Sequence, residues 1–235
     1  MDTYNDYDGF ARAYTRTIAT NSFNAHYERP AALDLAGDVR GLRVLDAGCG
    51  PGLQAEQLIG RGATLTGIDL SAGLLEIARD RLGPDVPLRQ ADLAQPLDFA
   101  DGSFDLITCS LVLHYLEDWV ATLREFHRVL APGGRVVMST HHPFADMRST
   151  GTRDYFGTYR WTENWAHTGE NMRMRFWHRP LRAMLAAFSV SGFAVEEISE
   201  PEPSPELAEL DRDDYEFLRT EPLFILFGLR RPSLS

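Results

Sequence analysis

The stretch Val44-Leu45-Asp46-Ala47-Gly48-Cys49-Gly50-Pro51-Gly52 decides the fold. A β-prone run ends in a turn with glycine at alternate positions, where the backbone can bend sharply and approach a ligand closely. Asp46, just ahead of the turn, offers a carboxylate to a positively charged group. A nicotinamide fingerprint, G-x-G-x-x-G, starting at Gly48 would need glycine where the chain has Leu53. A phosphate cradle would need a P-loop lysine, and the chain contains no Lys: all 23 of its Lys+Arg residues are Arg. The turn therefore suits an adenosyl ligand whose charged part is an amino acid rather than a pyrophosphate.

A strand-helix alternation extends outward from this turn. The pattern predicts a helix over Leu53–Ile59, a strand over Ala63–Ile68 and a helix marked by Leu74, Leu75, Ala78 and Leu82. Strands follow near Leu88-Arg89-Gln90 and over Phe104–Ser110, the latter apolar enough to be buried on both faces. Trp119, Leu123, Phe126 and Leu130 lie at helical spacing and stop at Pro132-Gly133-Gly134, which feeds a strand over Arg135–Thr140. A helical stripe at Leu181, Met184, Leu185 and Phe188 precedes strands over Phe193–Ile198 and Leu223–Leu229. Repeated β-α-β units imply a mostly parallel sheet with helices on both faces, an α/β domain over residues 40–235. Residues 1–39 read as an N-terminal helical lid, from the stripe Tyr7, Phe10, Tyr14, Ile18 and a short helix opened by Pro30 and ended by Gly37. Residues 141–180 interrupt the alternation and hold three of the four tryptophans. Tyr155–Trp161 and Met172–Trp177, separated by polar residues around His167-Thr168-Gly169, predict a β-hairpin.

Composition narrows the function. Thirty-four acidic residues against 23 basic ones give the 235-residue chain a net charge of −11, which argues against a polyanionic partner such as nucleic acid. The missing lysine removes Schiff-base chemistry and a desolvated lysine base. Cys49 and Cys109 are too few for a disulfide framework or metal cluster and read as reduced thiols of a cytoplasmic protein. The first residues lack the apolar run of a signal peptide, and no stretch approaches the ~18 apolar residues of a membrane span.

Two further acids lie at strand ends. Asp69, closing the second strand, is placed to accept both hydroxyls of a ribose. Asp92, in Ala91-Asp92-Leu93 after the third strand, could accept from an exocyclic amine while Leu93 packs on a purine; a turn or helix-cap role is the alternative. With these three motifs in order, the chain resembles a class I S-adenosylmethionine-dependent methyltransferase of the small-molecule branch that includes the quinone-biosynthesis type. The resemblance covers roughly residues 40 to 230. It implies a Rossmann-like, doubly wound, seven-stranded mostly parallel sheet, here with the lid in front and the hairpin after the fifth strand. It implies S-adenosyl-L-methionine as cofactor and S-adenosyl-L-homocysteine as product. Gly48, Gly50 and Gly52 would line the methionine part and Asp46 hold its ammonium. Asp69 with Leu70 would border the ribose, and Ala91, Asp92 and Leu93 the adenine. Ser110 and Leu111 would add contacts beside the methionine, with Tyr14 and Arg29 over its carboxylate.

The segment after the fourth strand, Cys109-Ser110-Leu111-Val112-Leu113-His114-Tyr115, lacks the Asn/Asp-Pro-Pro-aromatic tetrapeptide of amino-methylating enzymes of this fold. The acid pattern of the magnesium-dependent catechol type is absent too, so no metal is expected. The expected reaction is an in-line methyl transfer to O, N or C of a small acceptor. A cofactor-binding protein without methyl transfer, and an RNA or protein methyltransferase, are the alternatives. Where the acceptor must lose a proton, His114 and His141 are the candidate bases. His114 could instead pack the next helix, and only one of His141 and His142 is expected to face a pocket. His178, in Trp177-His178-Arg179-Pro180, reads as structural. The aromatic insertion is expected to cover the acceptor; packing onto the core or a homodimer face is its other use. Arg173 and Arg175 alternate along the hairpin and read as a solvated face.

Overall fold

The computed structural model describes residues 4–165 and 172–233. In chain order its strands are β1 (Arg43–Ala47), β2 (Thr64–Asp69), β3 (Leu88–Gln90), β4 (Phe104–Ser110), β5 (Leu130–His141), β6 (Tyr159–Trp165), β7 (Met172–His178), β8 (Ala194–Ser199) and β9 (Phe224–Arg230). The helices are α1 (Tyr7–Thr20), α2 (Arg29–Ala36), α3 (Leu53–Gly60), α4 (Ala72–Leu82), α5 (Trp119–Val129), α6 (Pro143–Thr150), α7 (Leu181–Val190), α8 (Leu207–Leu210) and α9 (Arg212–Thr220).

Seven strands form one sheet in the order β3-β2-β1-β4-β5-β9-β8. All neighbours pair in parallel up to β5, and β9 runs antiparallel between β5 and β8. From β1 the chain winds outward to β3, then returns to β4 and winds the other way. The switch point therefore lies between β1 and β4, and the crevice at its carboxyl edge is where open α/β sheets bind ligands.

Successive side chains of a strand point to opposite faces, and the core divides accordingly. Leu45, Ile107, Val136 and Met138 pack with Trp119, Leu123 and Phe126 of α5 and Phe188 of α7. Val44, Leu65, Leu106 and Val137 pack on the other face with Ala55 and Leu58 of α3 and Ala32, Leu33 and Leu35 of α2. The first 39 residues thus split in use. The α2 helix is built into the core, while α1 lies over the crevice, with Asp8 of α1 accepting from Ser71 Oγ at 2.6 Å and from the Gly73 N–H at 2.8 Å. Both donors sit at the start of α4.

The hairpin is a separate two-stranded antiparallel sheet of β6 and β7. Its first strand begins at Tyr159 rather than Tyr155, because Tyr155 and Phe156 form a turn and Asp154 Oδ1 accepts from the Gly157 N–H at 3.0 Å. The expected turn at His167-Thr168-Gly169 lies outside the described residues. Arg173 and Arg175 do not form a solvated face: both guanidiniums lie over the Tyr4 ring, at 4.5 and 3.7 Å from its centroid. Asn5 adds backbone bonds to the same strand, donating from N to Arg173 O and from Nδ2 to Arg175 O, each at 3.0 Å. No helix among the described residues is long and apolar enough to cross a membrane.

Candidate active site

The turn after β1 is shaped by positive φ at Gly48, Gly50 and Gly52 (83°, 53° and 80°). A Cβ on Gly48 would stand 2.3 Å from Val112 Cγ2, whereas one on Gly50 would meet nothing within 4 Å. Gly48 is therefore needed for close packing, and Gly50 exposes backbone to open space. Gly52 stands apart from the other two: it caps α3 and faces Leu82, with no place on the crevice wall. Asp69 draws the turn onto β2, its Oδ2 accepting from the Gly50 N–H at 2.8 Å and its Oδ1 from the Ser71 N–H at 2.9 Å. Each oxygen keeps a lone pair for a ligand hydroxyl.

Three hollows with wall residues in common follow the carboxyl edge. The crevice, about 260 Å³, is lined by Gly48, Gly50, Asp69, Leu70, Ala91, Asp92, Leu93, Ser110 and Leu111 under Tyr7 and Tyr14. Asp92 also caps its own turn, its Oδ1 accepting from the Ala94 N–H at 2.9 Å. A smaller hollow of about 70 Å³ lies among Glu28, Arg29, Asp46, Gln54, Ser110 and Tyr14. Asp46 is 2% exposed; its Oδ1 accepts from Thr108 Oγ1 at 2.8 Å and its Oδ2 has no partner. Burial lifts the Asp46 carboxyl to about 7, against the Thr108 bond, with Asp69 and Glu28 adding to the rise. An orphaned buried carboxylate oxygen beside a hollow fits a ligand ammonium. Arg29 Nη2 donates to Ile18 O at 2.7 Å, leaving the rest of a buried guanidinium in the same hollow.

The sequence offered no sign of Glu28. It is carried by a π-helical turn, Asn24–Glu28, whose one extra residue per turn shifts the helix phase and leaves no mark in a 3.6-residue pattern. Its Oε1 accepts from Ser139 Oγ at 2.5 Å, and burial raises its carboxyl. The same turn places Asn24 on both the small hollow and the third one.

The third hollow is a chamber of about 250 Å³ walled by Phe23, Tyr115, Trp161, Trp165 and Phe224, with His114 and His141 on one side. Thr17, Asn21, Asn24, Asp146, Ser149 and Glu163 are its further polar points, and among the described residues no Arg lines it. Tyr14 and Leu111 border all three hollows. Leu111 holds φ +55°, a left-handed conformation that side chains with a Cβ rarely adopt, and its N–H donates to Ser139 Oγ at 2.9 Å.

His114 and His141 are brought together, their rings stacked at 3.9 Å. Burial, with His141 second, holds the His114 ring well below the usual histidine value, so it stays neutral, and its Nδ1 lacks a partner. His141 Nδ1 lies 3.1 Å from Asp146 Oδ1. Because a carboxylate only accepts, this bond puts the His141 proton on Nδ1 and leaves Nε2 able to take one. His142 turns away: it caps α6, with Nδ1 accepting from the Phe144 N–H at 3.2 Å, and its Nε2 meets Glu200 Oε1 at 2.9 Å. Asp146 escaped the sequence reading because it sits on α6, a helix hidden by the aromatic composition of the insertion. In the hairpin, Met172, Met174 and Phe176 are packed away while Trp161 and Trp165 line the chamber. Among the described residues, no group of three or more His, Cys, Asp or Glu is arranged to hold a metal ion.

A crevice at the switch point of a mostly parallel sheet, with acids at or near successive strand ends, is the arrangement with which open α/β proteins bind nucleotide ligands. Comparisons with known proteins make the class definite. Residues 45–138 match the model of a methyltransferase domain. An S-adenosylmethionine-dependent methyltransferase from Mesorhizobium loti superposes with a TM-score of 0.75 at 31% identity, covering 91% of this chain and 100% of that one. A ubiquinone biosynthesis O-methyltransferase from Pseudomonas aeruginosa is 37% identical over 111 residues, 46% of this chain and 48% of that protein. A demethylmenaquinone methyltransferase from Lactococcus lactis is 34% identical over 145 residues, 58% of each chain. The chain spans about half the length of these two curated relatives. It belongs to the S-adenosylmethionine-dependent methyltransferase family.

Proposed function

We propose that this protein transfers a methyl group from S-adenosylmethionine to an O, N or C atom of a small organic acceptor seated in the aromatic chamber. The observation that carries this reading is the shared wall: the crevice and the chamber meet at Tyr14 and Leu111, so donor and acceptor can be held in line. Asp69 and Leu70 take the ribose side, Ala91, Asp92 and Leu93 border the adenine, and Gly48 and Gly50 pass beneath. Asp46 receives the ammonium at its orphaned oxygen, Arg29 and Tyr14 meet the carboxylate, and Ser110 and Leu111 lie alongside. The bound cofactor supplies a methyl group on a sulfonium, a leaving group that departs without protonation and asks for no metal.

The chain's own contribution is binding, alignment and proton removal. Where the acceptor is a hydroxyl or another group that must lose a proton, His141 Nε2 takes it, with Asp146 holding the opposite side of the ring. His114 stacks beneath as a neutral ring. Aromatic walls, the carboxylates Asp146 and Glu163, and the absence of Arg among the described lining residues favour a flat, neutral or cationic acceptor over an anionic one. A net charge of −11 supports a small molecule rather than nucleic acid. The buried free thiols Cys49 and Cys109, both pushed up by burial, support a cytoplasmic setting without thiolate chemistry.

Incubating the protein with S-adenosylmethionine and a panel of small phenols, alcohols and amines, with mass spectrometric readout, tests the reading. A singly methylated product with equimolar S-adenosylhomocysteine is expected. Absence of thermal stabilisation by S-adenosylhomocysteine would remove the cofactor assignment itself.

A further inference from the structure

His178 at the end of β7 is fully buried, and each of its ring nitrogens faces an acceptor. Nδ1 lies 3.2 Å from Asp146 Oδ2, and Nε2 lies 3.0 Å from the Tyr155 carbonyl oxygen. A carbonyl only accepts, so Nε2 must carry a proton. An ionised carboxylate only accepts as well, so Nδ1 must carry another. The ring that satisfies both is the imidazolium. Asp146, 2% exposed, spends its second oxygen on His141 Nδ1. A carboxylate buried that deeply is neutralised unless a cation stands beside it.

We propose that His178 is a positioning residue: as a buried imidazolium it keeps Asp146 ionised, and ionised Asp146 in turn fixes the Nδ1–H tautomer of His141. The consequence for proton removal at His141 Nε2 rests on the proposed function; the tautomer does not. The surroundings agree. His178 is faced by Asp146 from α6, by Asp154 and Tyr155 from the turn before β6, and by the Tyr159 ring of β6 stacked at 4.7 Å. His141 is faced by Asp146 and by neutral His114. Glu163 is the other carboxylate on the chamber wall. Burial lowers the His178 value, but the Asp146 bond and the Tyr155 carbonyl outweigh it, and the net shift is upward. For Asp146, burial pushes upward and the bonds from His141 and His178 pull the net value down. Both directions agree with a charged pair.

Nitrogen-15 spectroscopy of the full chain labelled at its seven histidines tests this without an acceptor. In the unmodified protein at pH 7, His178 is expected to show two protonated nitrogens and His141 a protonated Nδ1 with a bare Nε2, each assigned by its His→Gln variant. His178→Gln is expected to let Asp146 take up a proton and to turn the single His141 tautomer into a mixture. The affinity for S-adenosylhomocysteine should stay within twofold, because His178 lies outside the crevice. Asp146→Asn should abolish both signatures. A neutral His178 in the unmodified protein overturns the proposal, and that measurement needs no variant to fold. So does a His178→Gln protein that loses thermal stability while His141 keeps its single tautomer, the mark of a structural role alone. Failure of methyl transfer would leave these readouts untouched, so the two proposals fail separately.

Discussion

Asp46 and Asp69 stand next to or at the ends of their strands, yet the fold treats them differently. Asp69 is already fastened to two backbone N–H groups and offers its remaining lone pairs to a ligand. Replacing it with alanine should weaken S-adenosylhomocysteine binding by about 10- to 100-fold in calorimetric titration, the loss of charged hydrogen bonds worth roughly 1.5–3 kcal/mol. Asp46 is held in a costly state. Its carboxyl is lifted to about 7 chiefly by burial, so the ligand-free fold binds a proton that the unfolded chain releases near pH 4. Its stabilising contribution is complete below the unfolded value and is lost as pH rises through about 7. Asp46→Asn should therefore raise the Tm of the ligand-free protein at pH 8 by about 4 °C, on the order of 2 kcal/mol. The same change should weaken cofactor binding. In the unmodified protein, affinity should increase between pH 6 and pH 8 as Asp46 ionises, and the Asn variant should lose that dependence. Asp46 stood out in the sequence because it lies just before a glycine turn, and Asp69 because it closes the following strand. Glu28, Asn24 and Asp146 did not, because their positions depend on a π turn and on a helix within the insertion.

At the level of elements, the strands of the main sheet were readable to within a few residues, since a parallel sheet demands short apolar β-prone runs. Helix α9 was hidden. Its apolar residues Tyr215, Phe217 and Leu218 pack on the small cluster around Tyr27 and leave no long stripe. The hairpin start was misplaced because Tyr155 and Phe156 have strand composition yet serve a turn, where Tyr155 receives the His178 bond. The turn after β1 gives an element-scale prediction. Gly48→Ala would set a Cβ 2.3 Å from Val112 on a backbone at φ +83°, so a loss of at least ~2 kcal/mol is expected. Chemical denaturation measures it, and cofactor affinity should fall in parallel because Val112 lines the crevice.

For the whole molecule, the main consequence of the topology is that the N-terminal segment bridges parts that are distant in sequence. Asn5 and Tyr4 are fastened to β7, and Asp8 to the start of α4. Both attachments lie at the N-terminal end of α1, one on the β7 side and one on the α4 side. Asp8→Ala should release one side, raising the dissociation rate of S-adenosylhomocysteine in stopped-flow measurements by roughly 5- to 50-fold, about 1–2 kcal/mol, while the sheet core remains as stable to denaturant as before.

Tyr14, carried by that helix, borders all three hollows. On the proposed function this one ring borders the sites of both products, so a movement of it would open both. We therefore expect the two products to leave in one step paced by movement of α1 rather than by bond breaking. Turnover should then slow in proportion to solvent viscosity and show no isotope effect when the transferred methyl group carries deuterium.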